Sequence, residues 1–227
     1  MKKAEREEFL KQKLEEMLSY ERALYEKGVL YIGGVDEVGR GPLAGPVCAA
    51  CVVLPPDFDI VGVNDSKKLS EKKRNELYAV ITERALGYGI GLVGNARIDE
   101  VNILNATKAA MADAVRAANE MLAAKQWDAA SQSGDISIGH LLVDAVKLPE
   151  AKIPGTAIIK GDEKSVSIAA ASIVAKVTRD RIMTEFDNIY PGYGFSKNKG
   201  YGTAEHYEGL RALGLTPIHR RSFLKNL

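Results

Sequence analysis

Two cysteines and one tryptophan stand in 227 residues, and 31 basic against 30 acidic side chains leave a formal charge of only +1. So few cysteines exclude a disulfide-stapled secreted scaffold, and a chain of this length can bury a core without staples. The near-balance of charge excludes a global electrostatic field, so any polyanion has to be met by local basic patches. No run of 18 apolar residues occurs, which excludes an ordinary membrane-spanning helix. The N-terminus, Met1-Lys2-Lys3-Ala4-Glu5-Arg6-Glu7-Glu8, is too charged for an export signal, and a cytoplasmic location is the expectation. No GxxxxGK[ST] phosphate loop is present. Gly39-x-Gly41 followed by Gly45 misses the GxGxxG spacing and is interrupted by Pro42, so no dinucleotide or other organic cofactor site is expected. Cys48 and Cys51 have CxxC spacing but lie in an apolar run that reads as a strand. Positions three apart on a strand face opposite ways, and no second pair completes a zinc site, so both read as core thiols.

What is present reads as one α/β domain. Residues 3–27 carry Leu10, Leu14, Met17, Leu18, Leu24 and Tyr25 at three- and four-residue steps, a helix that Gly28 stops. Tyr31–Asp36 and Val47–Leu54 read as strands of an antiparallel hairpin. Ser70–Ala85 reads as a helix with Ser70 as N-cap. Gly87–Val93 reads as a glycine-rich strand, and Ile103–Ala124 as a long alanine-rich helix. Ser131–Gly134 is a loop; Ile138–Val143 and Thr156–Lys160 are further strands. Ser165 to about Asp187 is a helix so apolar in its first half that this half must be buried. A Gly/Lys/Tyr loop over 193–202 and a helix over Thr203–Leu213 close the chain. A hairpin followed by alternating helices and strands implies a mixed sheet flanked by helices. The expected organisation is an N-terminal helical extension over residues 1–28, a catalytic core over 29–190, and a small helical C-terminal part over 191–227 belonging to the same domain. The apolar content is enough for a self-contained core, so a monomer is expected.

The most informative segment is Gly33-Gly34-Val35-Asp36-Glu37-Val38-Gly39-Arg40-Gly41-Pro42-Leu43-Ala44-Gly45-Pro46. Two adjacent carboxylates end an apolar strand, where oxygen ligands can hold a hard cation. The glycine turn lets backbone N–H groups approach a phosphate or a sugar, and Arg40 offers a planar fork. Asp144 follows the apolar Leu141-Leu142-Val143, and Asp162 precedes the buried helix. Taken singly, each acid is as readily a helix cap or an ion-pair partner. Together they repel one another unless a cation neutralises them. Neighbours on a regular strand face opposite ways, so Asp36 and Glu37 share a site only if the strand twists or ends there.

The chain resembles the type 2 ribonuclease H family (ribonuclease HII). The matching motifs are Asp36 to Pro46, Asn64-Asp65-Ser66-Lys67-Lys68-Leu69, Leu142-Val143-Asp144, Ser167 to Val177, Lys199-Gly200-Tyr201-Gly202-Thr203, and Pro217-Ile218-His219-Arg220-Arg221-Ser222-Phe223. The resemblance implies a ribonuclease H-like fold with a central mixed five-stranded sheet. It implies an endoribonuclease that hydrolyses RNA in RNA–DNA hybrids and incises 5′ of ribonucleotides embedded in duplex DNA, leaving 5′-phosphate and 3′-hydroxyl ends. Such an activity would remove misincorporated ribonucleotides. By the resemblance, Asp36, Glu37, Asp144 and Asp162 are the catalytic acids and hold one or two Mg²⁺ or Mn²⁺ ions. Gly39, Arg40 and Gly41 with Tyr201 look like the reader of the DNA–RNA junction. The alternatives are a related nuclease that does not recognise a single ribonucleotide, and a non-catalytic hybrid-binding protein.

Substrate phosphates are expected at Lys67, Lys68, Lys199, Arg220 and Arg221, and at the N-terminus of the helix beginning at Ser165. A solvated lysine face is the bland reading of such residues. His140 reads as structural; His206 and His219 lie in the C-terminal motifs and could approach the site, though each alone reads more readily as a structural hydrogen-bonding residue than as a catalytic one. Two departures from the family pattern stand out: Asn198 where His is common, and Ala145 after Asp144 where Gly is usual.

Overall fold

The computed structural model describes residues 3–126 and 136–224. The expected loop over Ser131–Gly134 therefore lies outside the described residues. The apolar runs become strands β1 (Ile32–Val38), β2 (Val47–Val53), β3 (Gly87–Val93), β4 (His140–Asp144) and β5 (Gly155–Ile158). They form one sheet in the order β3-β2-β1-β4-β5. β1 pairs antiparallel with β2, the expected hairpin, and β2 antiparallel with β3; β1–β4 and β4–β5 are parallel, so the sheet is mixed. Asp36 lies one residue past the Val35–Val143 pair on β1, and Asp144 one residue past it on β4. The parallel pairing therefore sets both carboxylates at one level of the sheet.

Helices cover both faces. On one side lie α3 (Glu71–Arg84) and α5 (Val166–Ile189), with Cys48, Ala50 and Val52 of β2 beneath them. On the other lies α4 (Asn95–Gln126), against Ala49, Cys51 and Val53. The two cysteines thus face opposite layers, both free and buried, and burial raises the Cys48 thiol to about 12. The small side chains of β2 let helices approach from either side.

α5 is buried all round from Val166 to Ala175, as its apolar composition requires. It approaches β1 so closely that a Cβ on Gly34 would lie 2.1 Å from the Ser167 carbonyl carbon. Only glycine fits there, and this contact brings the buried helix to the strand that carries Asp36 and Glu37.

The first expected helix is two, α1 (Lys3–Met17) and α2 (Ser19–Tyr25), meeting at Leu18. The break follows burial: Leu14, Met17 and Leu18 enter the core, and Glu21 packs under the start of α5. Ser70 caps α3 as expected, its hydroxyl accepting from Lys73 N–H. α4 begins earlier than the alanine-rich stripe and carries a non-helical residue, Asn102 (φ 68°), whose side chain accepts from Asn105 N–H and restarts the helix. The 193–202 loop contains a single turn, α6 (Phe195–Asn198), before α7 (Ala204–Leu213), which Thr203 caps.

Ala145 has φ 54°, the left-handed region in which a Cβ costs about 1–2 kcal/mol. This is the position where the resembled family usually has glycine. Ala145→Gly is expected to stabilise the fold by about 0.5–1 kcal/mol, the relief of strain less the added chain entropy. The midpoint of urea unfolding checks this.

Candidate active site

The strand geometry resolves the tension at Asp36 and Glu37. The Asp36 carboxylate curls along the chain to accept from Glu37 N–H at 2.7 Å, and β1 ends one residue later. Oxygen atoms of Asp36, Glu37 and Asp144 then lie within 4.8 Å of one another. Asp144 is held from the far side by Gly161 N–H at 2.6 Å. Asp162, buried in a 3-10 turn, stands outside this group of three but couples electrostatically to Asp144 and Asp65.

Burial, and next the Glu37 charge, push the Asp36 carboxyl well above the ordinary range; the buried Ser172 hydroxyl nearby opposes them. Burial raises Glu37 despite the Arg40 cation beside it. Burial, Asp65 and Asp144 raise Asp162. Three all-oxygen ligands whose charges resist one another suit a hard divalent cation, which relieves burial cost and repulsion together.

Around this cluster the basic residues divide. Burial lowers the Lys67 ammonium, but Asp65, Asp162, Asp36 and Asp144 together outweigh it and raise its pKa. Lys68 pairs with Glu163 at 3.0 Å at the surface, and the exposed Arg40 lies 3.4 Å from the largely buried Glu37. Ser165 is fully buried: its hydroxyl donates to Glu21 at 2.6 Å and caps Ile168 N–H, while Glu21 also accepts from Ser167 N–H. A carboxylate of α2 therefore occupies the helix N-terminus that sequence reasoning offered to a phosphate. Arg220 is likewise corrected, since it is fully buried and its guanidinium bonds to backbone carbonyls. Arg221 remains exposed.

The Gly39–Gly41 turn is built from its carbonyls inward. Arg220 donates to the carbonyls of Gly39 (2.6 Å), Arg40 (3.0 Å) and Gly45 (2.8 Å). Arg179, also fully buried, donates to those of Pro46 (2.9 Å), Ala44 (3.2 Å) and Lys199 (2.9 Å). In a trans peptide the N–H points away from its carbonyl. With the Gly39 and Arg40 carbonyls turned in, Arg40 N–H and Gly41 N–H are turned out. Gly39 has φ +91°, and a Cβ there would lie 2.2 Å from Arg179 Nε, so the turn admits no other residue. A Cβ on Gly41 would lie 3.4 Å from the Tyr201 ring, and Leu43 N–H donates to the Gly200 carbonyl at 2.8 Å. The turn and the half-exposed Tyr201 thus form one surface beside the carboxylates. Asn198 is buried and braces this loop, donating to the Tyr193 carbonyl (2.7 Å) and accepting from Gly200 N–H (2.8 Å). An amide at the position of the family's histidine does this without a titrating ring.

A profile of the ribonuclease HII family matches residues 33–226. The chain belongs to the ribonuclease HII family. It is 55% identical over 216 residues to the ribonuclease HII of Clostridioides difficile strain 630, covering 95% of this chain and 78% of that protein. It is 52% identical over 215 residues to the ribonuclease HII of Caldanaerobacter subterraneus subsp. tengcongensis, covering 95% and 83%. Among solved structures it is similar to ribonuclease H2 from Pyrococcus horikoshii OT3, with a TM-score of 0.64 and 30% identity over 85% of this chain and 93% of that one. The ribonuclease HII solved in complex with PCNA from Archaeoglobus fulgidus gives 0.62 and 26%, over 84% and 94%. Ribonuclease HII membership makes the chain a divalent-metal-dependent endonuclease acting on RNA–DNA hybrids, on the ribonuclease H-like fold that its sheet displays. No helix among the described residues is long and apolar enough to cross a membrane.

Ser172, Asp65, Arg179 and Arg220 are the site residues that sequence reasoning left without these roles. All four lie in or next to the matching motifs, but their parts depend on burial, which a motif does not display.

Asp36, Glu37 and Asp162 bind protons more tightly in the folded chain than in the unfolded one. Their contribution to metal-free stability is present while they are protonated. It is lost as pH rises from the ordinary carboxylate range, near about 4, through their raised folded values. Calorimetry without metal is expected to show the melting temperature falling through that window, and divalent cations are expected to oppose the fall. Asp36→Asn should raise the metal-free melting temperature, weaken its response to Mn²⁺ and lower cleavage by at least about a hundredfold.

Proposed function

We propose that this ribonuclease HII incises duplex DNA on the 5′ side of a single embedded ribonucleotide as well as cleaving hybrids, leaving 5′-phosphate and 3′-hydroxyl ends. The observation that carries the reading is the contact of the Gly41 turn with the Tyr201 ring beside the carboxylate cluster. Asp36, Glu37, Asp144 and Asp162 are the residues we assign to one or two Mg²⁺ or Mn²⁺ ions. When bound, such ions supply activation of water and charge neutralisation at the phosphate.

The chain's own residues do the rest. The outward N–H groups of Arg40 and Gly41 are donors for a ribose 2′-hydroxyl, the group that separates RNA from DNA. The Tyr201 ring, half exposed beside them, offers an apolar face to the next sugar. A deoxyribose suits that face, whereas a second ribose would bury a hydroxyl without a partner. Lys67, kept protonated by the surrounding acids, together with Lys68 and Lys199, holds backbone phosphates. The exposed Arg40 side chain, 3.4 Å from Glu37, can turn its guanidinium from that carboxylate to a phosphate.

The test compares cleavage of a duplex carrying one ribonucleotide with cleavage of an all-RNA strand paired to DNA. Wild type is expected to incise immediately 5′ of the single ribonucleotide. Tyr201→Ala is expected to lose most of that preference, and a variant that keeps it would sink the junction reading. In a separate titration, Lys67→Ala with Lys68→Ala should weaken binding to every sequence alike. Its salt slope should be shallower by about 0.7–0.9 for each phosphate that the variant no longer neutralises; an unchanged slope removes both lysines from the binding surface.

A further inference from the structure

His206 and His219 take no part in junction reading or metal binding as proposed, yet they are arranged more strictly than packing requires. Both rings are buried, and their Nε2 atoms face each other at 3.0 Å. Two nitrogens at that distance share one hydrogen, so one donates and the other accepts. The outer nitrogens decide which. The Thr216 backbone N–H donates to His219 Nδ1 at 2.8 Å. A backbone N–H can only donate, so this Nδ1 is bare and the hydrogen of the neutral ring sits on Nε2. His206 Nε2 is then the acceptor, and its own hydrogen sits on Nδ1, from which it reaches the Tyr201 carbonyl at 2.9 Å. A single directed chain runs from Thr216 N–H through both rings to Tyr201.

The surroundings demand that order. Tyr193 and Phe195 pack against both imidazoles at centroid distances of 5.2–6.2 Å, within an apolar cluster that includes Ala44, Met183, Leu210 and Ile218. Among the described residues no carboxylate bonds to either ring. An extra proton would place two N–H groups face to face without a partner. Burial disfavours the charged form of both rings, in keeping with this arrangement.

The pair also joins the two halves of the junction surface. The His219 backbone is bridged to Ala44, Gly45 N–H donates to the Ile218 carbonyl, and Arg220 N–H donates to that of Leu43. Its main chain therefore rests on the stretch that follows Gly39–Gly41, while its ring reaches Tyr201 through His206. We infer that His206 and His219 are positioning residues for junction recognition, a neutral pair of opposite tautomers that fixes Tyr201 against the Gly39–Gly41 turn. The inference rests on the proposed reading of the junction by that turn and Tyr201.

The experiment uses the full chain in excess Mg²⁺. It measures kcat/KM on the single-ribonucleotide duplex and on the all-RNA hybrid for wild type, Tyr201→Ala, His206→Phe and His206→Asn. Phenylalanine keeps the ring packing but offers no donor to the Tyr201 carbonyl. Asparagine restores an amide N–H near the place of Nδ1. His206→Phe is expected to lower the ratio of the two kcat/KM values by about fivefold or more, the kinetic equivalent of one hydrogen bond, with the hybrid rate within about twofold of wild type. His206→Asn is expected to recover most of the ratio. Nitrogen NMR of the wild-type imidazoles at neutral pH should find the hydrogen on Nε2 of His219 and on Nδ1 of His206. A ratio lost in Tyr201→Ala but kept in His206→Phe overturns the inference alone. A ratio kept in Tyr201→Ala overturns the junction reading and the inference with it. A charged ring, or the same tautomer in both, overturns the inference even if His206→Phe does not fold.

Discussion

Like charges brought together by a sheet are the constraint on which this molecule turns. Parallel pairing of β1 with β4 sets Asp36 and Asp144 side by side, and the curl at the end of β1 adds Glu37. Such a cluster is held against its own repulsion, so the rest of the fold has to supply the stability that it removes. The buried first half of α5, seated on β1 at Gly34, is one such contribution, and it brings the Ser172 hydroxyl to the neighbourhood of Asp36. The acids are therefore poorly satisfied without a cation and well supported for receiving one.

A second layer of organisation uses positive charge inside the protein. Arg179 and Arg220 are fully buried, and their guanidinium groups donate to backbone carbonyls. A guanidinium is suited to this, because its planar set of donors can gather several carbonyls while its charge is spread over the group. By drawing in the carbonyls of Gly39 and Arg40, Arg220 fixes which way the intervening peptides face. Surface chemistry at the turn is thus decided by side chains that never reach the surface.

Much of this was legible from the chain alone. Strand β3 matches its expected bounds, and the hairpin, the cap Ser70 and the buried half of α5 follow from local periodicity and polar punctuation. The acids were legible because carboxylates beside apolar strand residues are costly without a purpose. Arg220 and Ser165 were misread for a shared reason. A basic side chain or a helix N-terminus looks the same in sequence whether it faces solvent or the interior, and only tertiary packing decides. The split at Leu18 and the restart at Asn102 were hidden for another reason. Neither carries a proline or glycine, and both are made by what the helix packs against or caps rather than by local preference.

The Glu21 carboxylate under α5 has a consequence in time as well as in space. Its hydrogen bond to Ser165 closes a span of 144 residues, so α2 is completed by a segment made much later than itself. During synthesis α1 and α2 emerge with their apolar side chains and no α5 to cover them. Docking of α2 then waits for the arrival of the helix that backs Asp36, and a chain made only as far as β4 carries an unfinished metal site.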